Sequence, residues 1–361
     1  MFYKTYLGML YSLYTMKNVN AIVKADCLDI LNSIDLAPFK NKKILVTGAN
    51  GLLGQYLANL FFVANREKNL NCSLTCVTLH EPNIFLKRIL GGKIKFKKLN
   101  LAKPFKLPEK FDYIFHAAGY GQPAKFAKNQ LATIKINVDA TEKLLEIAKR
   151  SQGTLVFFSS AEIYGELPKE TRAVSEEYNG SCSTTNTRSV YGESKRLGET
   201  LCAMFSREYG VKAKIVRLSH HYGPGISIHD TRVLADFMRN AFFKKEIHLL
   251  SEGKEIKTFG YVADAVKMIL HVAARGQELV YNVGGIHPIS IKGLAEMVGK
   301  EIGAKVFPPK KSTAPHAIHH AGFVKLDLSR ILSEMKHFSF TPLKTGLKKT
   351  IAWNKEEFSL N

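Results

Sequence analysis

The sequence predicts an α/β protein built on a doubly wound parallel sheet, with a smaller C-terminal α/β lobe. Three observations support this prediction. Short apolar runs of β type alternate with helical patterns as far as about Arg217, a glycine-rich turn follows the first run, and the alternation becomes less regular after Pro224. Strands that alternate with helices are typical of parallel sheets, because the connecting helices cover both faces.

The elements can be placed in order along the chain. The predicted strands of the sheet are Lys43–Thr47, Ser73–Leu79, Ile94–Leu99, Tyr113–His116, Leu155–Ser159 and Lys214–Leu218. Helical patterns between them cover Gln55–Asn65, Thr133–Arg150 and Tyr191–Glu208. In the C-terminal part we predict a helix near Val233–Phe243, a short strand near Glu246–Leu250, and helices at Ala263–Arg275 and Ile291–Ile302.

These patterns divide the chain into three parts. Residues 1–40 are predicted to form a helical extension, residues 41–220 a dinucleotide-binding domain, and residues 221–361 mostly a substrate-binding lobe. In the extension, the apolar stretch Tyr6–Met16 is too short to span a bilayer and lacks a small-residue cleavage site, so we interpret it as a packing or dimer-contact helix. Ala21–Ile34 is predicted to be a second, amphipathic helix.

Composition limits the classes of partner and compartment. The formal net charge of the 361 residues is +21, but the lysines are spread along the chain, which favours a solvated surface that attracts an anionic substrate over a nucleic-acid groove. The five cysteines form no Cys-x-x-Cys pair, which indicates a reduced, cytoplasmic compartment and no metal site. We therefore expect no nucleic-acid partner, no membrane partner and no bound metal.

A glycine-rich loop is the first candidate binding feature. Gly48, Gly51 and Gly54 follow the strand Lys43–Thr47 at G-x-x-G-x-x-G spacing, and a helical pattern comes next. Glycines allow the backbone to turn tightly and approach a pyrophosphate, while the helix N-terminus offers N–H groups to the anion. An ordinary tight turn is the alternative. The order of strand, loop and helix favours a Rossmann-type site for NAD or NADP, formed by the three glycines with Asn50, Leu52 and Leu53.

A tyrosine, a lysine and a serine form the candidate catalytic set. Tyr191 and Lys195 are four residues apart, which places both on one face of a helix. A nearby ammonium favours the phenolate, so Lys195 is expected to hold the pKa of Tyr191 down for use as a base. Ser160 directly follows the run Phe157–Ser159, which ends at the edge of the sheet where ligands bind. A core tyrosine, a solvated lysine and a capping serine are the plain alternatives.

With the three motifs in this order, the chain resembles the extended short-chain dehydrogenase/reductase superfamily, in its nucleotide-sugar-modifying branch, from about Lys42 to about Trp353. The resemblance implies an NAD cofactor, with NADP open because Thr78 stands where members often have an aspartate and only the later Glu81 could replace it. It also implies a homodimer formed through the helices Thr133–Arg150 and Tyr191–Glu208. It further implies cofactor contacts from the segments after two strands, namely Asn100, Leu101, Ala117, Ala118 and Gly119.

The substrate half is similar to the UDP-glucuronate decarboxylases. His220 stands at the asparagine of the family motif Arg-x-x-Asn-x-Tyr-Gly-Pro, and the stretches containing Arg232 and Lys257 match substrate-contacting stretches. Lys257 replaces a family arginine, which would loosen recognition of a diphosphate or carboxylate. For Arg232 and Lys257 the alternative is a surface ion pair. The resemblance thus implies a nucleotide-sugar substrate.

Two residues after Ser159 and Ser160 narrow the reaction that the resemblance implies. A 4,6-dehydratase needs an acid at the position of Ala161, which a methyl group cannot supply. Glu162 matches a glutamate of dehydratases and decarboxylases, although it could instead cap a loop. The leading hypothesis is a decarboxylase that oxidises the sugar transiently at C4, followed by a 4-epimerase, a 4,6-dehydratase or a 4-ketoreductase. A catalytically silent dinucleotide sensor is the alternative outside enzymes.

Overall fold

The structure is a computed structural model that describes residues 19–165, 167, 171, 173–309 and 325–359. The first part of the chain forms, in order, α1 Ala21–Ser33, β1 Lys43–Thr47, α2 Leu52–Glu67, β2 Ser73–Thr78, α3 Ile84–Lys87, β3 Ile94–Lys98, β4 Tyr113–His116, α4 Pro123–Lys128, α5 Gln130–Asn137, α6 Asp139–Ser151, β5 Thr154–Ser160, α7 Val190–Tyr209 and β6 Lys212–Leu218. The second part forms β7 His220–Tyr222, α8 Val233–Lys244, β8 Glu246–His248, β9 Ile256–Tyr261, α9 Val262–Arg275, β10 Val280–Val283, β11 Pro288–Ser290, α10 Ile291–Ile302, β12 Lys305–Phe307, α11 Ser329–Glu334 and α12 Leu343–Phe358.

A parallel sheet of seven strands, in the order β10-β6-β5-β4-β1-β2-β3, is the centre of the fold. Every neighbouring pair in it runs parallel, as in the pairing of Val46 with Cys76 on one side and Phe115 on the other. The predicted doubly wound sheet is therefore confirmed. Its strands carry their carboxyl ends to one edge, where Thr47, His116 and Ser160 lie.

Helices cover both faces of this sheet because its strands are apolar on both sides. In β1, Ile44 and Val46 belong to one core cluster and Leu45 to the other, as the alternation of side chains along a strand requires. The first cluster includes residues of α2 and α9, and the second includes residues of α6 and α7. Each face is thus sealed from water, and the carboxyl edge remains the place for a ligand.

The residues after 221 build a lobe and also complete the main sheet. The lobe contains a three-stranded sheet in the order β11-β9-β7 and the pair β12-β8, with α8 and α10 packed together. However, β10 joins the seven-stranded sheet beside β6, and α9 packs on α2. The main sheet therefore extends across the predicted boundary at residue 220.

Most predicted elements are present with small shifts of their ends, but one predicted helix was wrong. The pattern over Thr133–Arg150 corresponds to two helices, α5 and α6, which meet at Val138, where φ is −112° and ψ is −72°. The kink follows from these angles, which depart from the helical values near −63° and −42°. The predicted helix Ala21–Ile34 is observed as α1, whereas Tyr6–Met16 lies outside the described residues. Among the described residues, no helix is both long and apolar enough to cross a bilayer.

Buried polar contacts fix α1 to the rest of the molecule. The Asp26 carboxylate accepts hydrogen bonds from the hydroxyls of Tyr56 and Tyr261, and it forms an ion pair of 2.6 Å with Lys349. These partners belong to α2, β9 and α12, so one carboxylate on α1 joins three distant segments. The two tyrosines are almost completely buried, as is Asp26.

Candidate active site at the carboxyl edge of the sheet

The glycine-rich loop is shaped by two close backbone approaches. Gly48 has a φ of +66°, and a Cβ there would lie 2.6 Å from the carbonyl oxygen of Ala117. A Cβ on Gly54 would lie 2.5 Å from the Gly48 carbonyl oxygen. A larger residue at position 48 would push the loop away from the end of β4, and one at position 54 would push α2 away from the loop.

The loop and the start of α2 suit the pyrophosphate of a dinucleotide. Gly51 is the N-cap of α2 and provides no side-chain cap, so no side chain occupies the first N–H groups of the helix. The Asn50 side chain is not directed there, since its Nδ2 donates to the Glu81 carbonyl at 2.9 Å and its Oδ1 accepts from Asn83 N–H at 2.9 Å. Asn50 therefore fastens the loop to the segment after β2. The helix start remains available to an anion.

The segment after β2 carries the ribose side of such a site. Thr78 donates its hydroxyl to the His80 carbonyl, and the Glu81 carboxylate forms an exposed ion pair of 2.9 Å with Lys98. Asn100 closes a turn by accepting from Ala102 N–H at 3.0 Å, while the neighbouring Leu101 is buried. Glu81 is the only carboxylate between residues 78 and 83, and it is already paired. A dinucleotide bound at this edge would therefore find no dedicated acidic partner for its ribose among these residues.

Ser160, Tyr191 and Lys195 come together at the end of β5 and the start of α7. The Ser160 hydroxyl accepts from Glu162 N–H at 3.2 Å and forms a hydrogen bond with the Tyr191 side chain. The Lys195 ammonium donates to the Phe158 carbonyl at 2.6 Å and lies 5.9 Å from the centre of the Tyr191 ring. The sequence-predicted triad is therefore one cluster in the structure.

The electrostatics of this cluster differ from the prediction. Burial raises the pKa of Tyr191 to about 12, against the opposing effects of the Ser160 hydrogen bond and the Arg232 charge. Burial also lowers the pKa of Lys195 to about 7, although Glu199 raises it in part. The prediction that Lys195 holds the pKa of Tyr191 down is thus wrong for the ligand-free protein. Removal of the phenol from water outweighs the opposing effects of Ser160 and Arg232, and Lys195 itself is only partly charged at neutral pH.

The end of β4 supports the lysine. A Cβ on Gly119 would lie 3.8 Å from Lys195 Nζ and 3.7 Å from Asn137 Oδ1. The Asn137 amide donates to Ser194 Oγ at 2.9 Å, but its buried Oδ1 has no hydrogen-bond partner among the described residues. The segment Ala117–Gly119 thus lies between Gly48 of the glycine loop and Lys195, and its cofactor contacts stay a prediction.

A chain of hydrogen bonds fixes this strand end. Ala118 N–H donates to the Thr47 hydroxyl at 3.2 Å, and that hydroxyl contacts His116 Nδ1 at 2.8 Å. Burial, followed by the Lys195 charge, lowers the pKa of His116 to about 3, so this imidazole is neutral. The neutral ring ties β1 to β4 beneath the candidate site.

Charged side chains surround the opening near Tyr191. The exposed Glu162 carboxylate lies 3.4 Å from Arg188 Nη2. Lys257 lies 4.0 Å from Glu255. Burial lowers the pKa of Lys257, whereas the charges of Glu255 and Glu162 raise it, so Lys257 is within electrostatic reach of Glu162. The negative charge of Glu162 raises the pKa of Tyr191, so this carboxylate lies within electrostatic reach of the phenol.

The other two predicted substrate residues lie on different elements. Arg232 precedes α8, and its guanidinium binds the Asp230 carboxylate with contacts of 2.7 to 3.1 Å. The Arg232 charge also lowers the pKa of Tyr191, so this ion pair lies within electrostatic reach of the phenol. His220, on β7, is exposed and packs edge to face on Phe259 at 5.9 Å.

Two residues of the site were missed in the sequence. Phe126 on α4 stacks on the Tyr191 ring, with centroids 4.9 Å apart and planes 11° apart, and the Arg188 guanidinium lies 5.8 Å above Phe126. The position of Arg188 three residues before Tyr191 is a signal that could have identified it. Phe126 offers no local signal, because its contact with Tyr191 spans 65 residues of sequence (191 minus 126). No group of three or more His, Cys, Asp or Glu in the described ranges is placed to hold a metal ion.

Comparison with known proteins agrees with this geometry. The chain is 26% identical over 321 residues to UDP-glucuronic acid decarboxylase 1 of Xenopus tropicalis, covering 88% of this chain and 73% of the relative. It is 29% identical over 259 residues to UDP-glucuronic acid decarboxylase 6 of Arabidopsis thaliana, covering 72% and 74%.

Solved structures share the fold. A UDP-glucose 4-epimerase from Thermotoga maritima, solved with UDP-glucose, has a TM-score of 0.72 at 21% identity and covers 88% of this chain and 99% of that one. A dTDP-glucose 4,6-dehydratase from Streptomyces venezuelae, with NAD bound, has a TM-score of 0.73 at 19% identity, covering 88% and 98%. A UDP-glucuronic acid 4-epimerase from Bacillus cereus in complex with NAD has a TM-score of 0.68 at 22% identity, covering 87% and 96%.

The family assignment rests on the glycine loop, the sheet and the Ser-Tyr-Lys cluster together with one further match. The model of the NAD dependent epimerase/dehydratase family matches residues 44–284, more than half of the chain, and it spans every residue of that cluster. The members are enzymes that act with NAD on nucleotide sugars, in agreement with the predicted class and cofactor. This chain belongs to the NAD dependent epimerase/dehydratase family.

Proposed function

We propose that this protein is an NAD-dependent decarboxylase of a nucleotide-linked uronic acid, which works by transient oxidation at sugar C4. The observation that supports this most is the set of charges beside the Ser-Tyr-Lys cluster. Glu162 lies 3.4 Å from Arg188, and the Lys257 ammonium is within electrostatic reach of Glu162. A uronate needs cations for its carboxylate, and the loss of CO₂ needs a group that governs reprotonation at the carbon left behind.

The glycine loop and the strand ends are assigned to the cofactor. Gly48, Gly51 and Gly54, with the N–H groups of Leu52 and Leu53, would hold the pyrophosphate. When bound, NAD accepts a hydride from the sugar and later returns it. Leu101 and the segment Ala117–Gly119 would enclose the rest of the dinucleotide.

Tyr191 and Ser160 are assigned to proton transfer at the sugar hydroxyl. Since burial raises the pKa of Tyr191 to about 12, the phenol holds its proton at neutral pH in the free protein. It is thus ready as the acid of the return step and must lose this proton before it acts as the base of the oxidation. Ser160 hydrogen-bonds the phenol and positions it.

Decarboxylation also suits the chemistry of the oxidised sugar. A 4-keto uronate is a β-keto acid, which loses CO₂ without a leaving-group acid, and Ala161 offers none. Glu162 is placed to control the proton that replaces CO₂. The similarity to two UDP-glucuronic acid decarboxylases supports the same substrate, with UDP as the expected nucleotide.

A 4-epimerase is the second candidate, and one observation favours it. The same Ser-Tyr-Lys cluster suffices for oxidation and return, and Ala161 leaves room beside Ser160. Structures of 4-epimerases share the fold. Glu162 and its cations have no evident task in that reaction.

Product mass separates the candidates. We would incubate the purified, NAD-loaded protein with UDP-, GDP-, CDP- and dTDP-linked sugars, including UDP-glucuronate, and analyse the products by mass spectrometry. Loss of the mass of CO₂ from the uronate supports the proposal. Loss of water indicates dehydration, and an unchanged mass with altered NMR couplings indicates epimerisation. Failure to convert any of these sugars would contradict the proposed function.

A further inference from the structure

We propose that Arg188 binds the carboxylate of the uronate, and that Glu162 occupies this place when no sugar is bound. The inference rests on the function proposed above and deepens it, because it names the residue that selects a uronate over a neutral hexose.

The backbone of Arg188 is held firmly against the candidate site. Arg188 lies in the 3-10 turn Thr187–Ser189, directly before α7, and its N–H donates to Asn186 Oδ1 at 3.0 Å. The Ser189 hydroxyl donates to the Ser183 carbonyl at 2.7 Å. The backbone that carries the guanidinium is therefore fixed in place, three residues before Tyr191.

Its side chain is directed by aromatic packing. The guanidinium lies 5.8 Å above the Phe126 ring, and Phe126 stacks in turn on Tyr191 at 4.9 Å. A guanidinium can lie flat on a ring and still present its edge donors to a carboxylate, which an ammonium does less well. The stack thus holds a fork of donors over the ring that packs on Tyr191.

The ion pair between Arg188 and Glu162 is loosely held. The contact with Glu162 is 3.4 Å long, whereas strong ion pairs of this kind measure about 2.7–2.9 Å. The two side chains are 29% and 44% exposed, so the pair contributes little to stability. A second carboxylate can replace Glu162 at low cost.

Exchange of the two carboxylates has a consequence for Glu162. When the sugar carboxylate binds Arg188, the Glu162 carboxylate is released from its ion pair. It then lies next to Tyr191 and Ser160, where it can donate or accept a proton. A neutral hexose cannot displace Glu162, so the glutamate stays paired with Arg188. Binding of the correct substrate and preparation of Glu162 are therefore one event.

Binding of two probes to matched variants tests this inference. We would measure the Kd of UDP-glucuronate and UDP-glucose for the NAD-loaded wild type, R188Q, R188K and E162Q by calorimetry. R188Q should raise the Kd of UDP-glucuronate by about 10- to 100-fold, which is the effect of one lost hydrogen bond to a charged group. The Kd of UDP-glucose should change by less than about twofold. R188K should restore part of the loss. E162Q should tighten UDP-glucuronate, because the competing carboxylate is gone.

The controls keep the inference separate from the proposed function. R207Q, at the exposed far end of α7, should leave both affinities unchanged. The inference is overturned if the wild type converts UDP-glucuronate but R188Q and R188K weaken both probes alike or neither. A wild type that binds neither probe overturns the proposed function, and this inference with it. Thermal melting of each variant identifies any that fails to fold.

Discussion

At the scale of single residues, the phenol of Tyr191 is the centre of the candidate site. Ser160 hydrogen-bonds it, Phe126 stacks on its ring, and the charges of Arg232 and Glu162 act on its pKa in opposite directions. Burial dominates over all of these and raises the pKa to about 12. The residue is positioned for proton transfer, and ligand binding has to lower the pKa of the phenol before it can act as a base.

Replacement of this phenol separates chemistry from binding. Y191F should reduce turnover by about 10²–10⁴-fold, because the proton-transfer group is gone while the ring and its stack on Phe126 remain. The affinity for NAD should stay within about twofold, since the glycine loop is unchanged. Steady-state rates and NAD titration measure the two effects. Y209F, on the exposed end of the same helix, is the matched control, and unaltered turnover in Y191F would favour a silent dinucleotide sensor.

Lys195 gives the apoprotein a specific dependence of stability on pH. Its pKa is about 7 in the folded chain and near its ordinary value of 10.5 in the unfolded chain. Between these values the unfolded chain binds the proton and the folded chain does not, so stability rises with pH across this window. Below about pH 7 Lys195 is protonated in both the folded and the unfolded chain, so the free-energy cost of burying its charge is fully present.

Urea unfolding of wild type and K195M at pH 7 and pH 9.5 tests this dependence. The variant removes the titrating group, so its free energy of unfolding should rise less with pH than that of the wild type, by a few kcal/mol over the window. The lost hydrogen bond to the Phe158 carbonyl adds an offset that is the same at both pH values. The exposed Lys212 provides the control variant K212M. Parallel pH profiles for wild type and K195M would refute the assignment.

At the scale of elements, the sequence predicted best what local patterns determine. The strand Lys43–Thr47 and the glycine loop were placed correctly, because apolar residues and glycines act through neighbours in the chain. The kink at Val138 has no such signal, since Val138 is an ordinary helix residue and its angles depend on what α5 and α6 pack against. Tertiary packing thus decided this element against its local pattern.

The candidate site shows the same division. Ser160, Tyr191 and Lys195 were found because the motif spacing fixes them on one strand end and one helix face. The pair of Glu162 and Arg188 depends on how the chain between β5 and α7 folds back, which the sequence does not reveal. The direction of the pKa shift of Tyr191 was also beyond prediction, because burial is a property of the whole surroundings.

Helix α1 is the element whose attachment is most easily tested. D26A would leave the hydroxyls of Tyr56 and Tyr261 and the Lys349 ammonium without their shared acceptor. We expect a loss of about 3–5 kcal/mol in the free energy of unfolding, the usual effect of breaking a buried charge pair. Urea denaturation measures the loss.

The control for this variant lies one turn further along α1. Asp29 forms an ion pair of 2.6 Å with Lys267, but its carboxylate is 67% exposed. D29A should therefore cost less than about 1 kcal/mol. Equal losses in D26A and D29A would mean that the Asp26 network does not hold α1 in place.

At the scale of the whole molecule, the formal net charge is +21, and its lysines are spread along the chain. The edge strand β3 carries Lys95, Lys97 and Lys98, and charged side chains on an edge strand oppose pairing with another sheet. Part of the positive charge thus has a structural explanation. The predicted absence of a nucleic-acid partner and the cytoplasmic location stay predictions.

The surface of α5 and α7 leads to the prediction of a homodimer. The two helices pack against each other, and both carry exposed apolar side chains: Leu131, which is 65% exposed, and Ile134 on α5, and Leu197 on α7. A second copy related by twofold symmetry would cover these side chains, and a stable interface of this kind buries about 1,200–2,000 Å².

The wild type should sediment as a dimer at micromolar concentration. The double variant L131D/L197D should shift it to a monomer, because two buried carboxylates cannot be paired across the interface. L250D, on the C-terminal lobe where Leu250 is 86% exposed, should leave the dimer intact. Sedimentation velocity over a range of concentrations distinguishes these results, and a wild type that is monomeric throughout, or a double variant that stays dimeric, would exclude this surface as the interface.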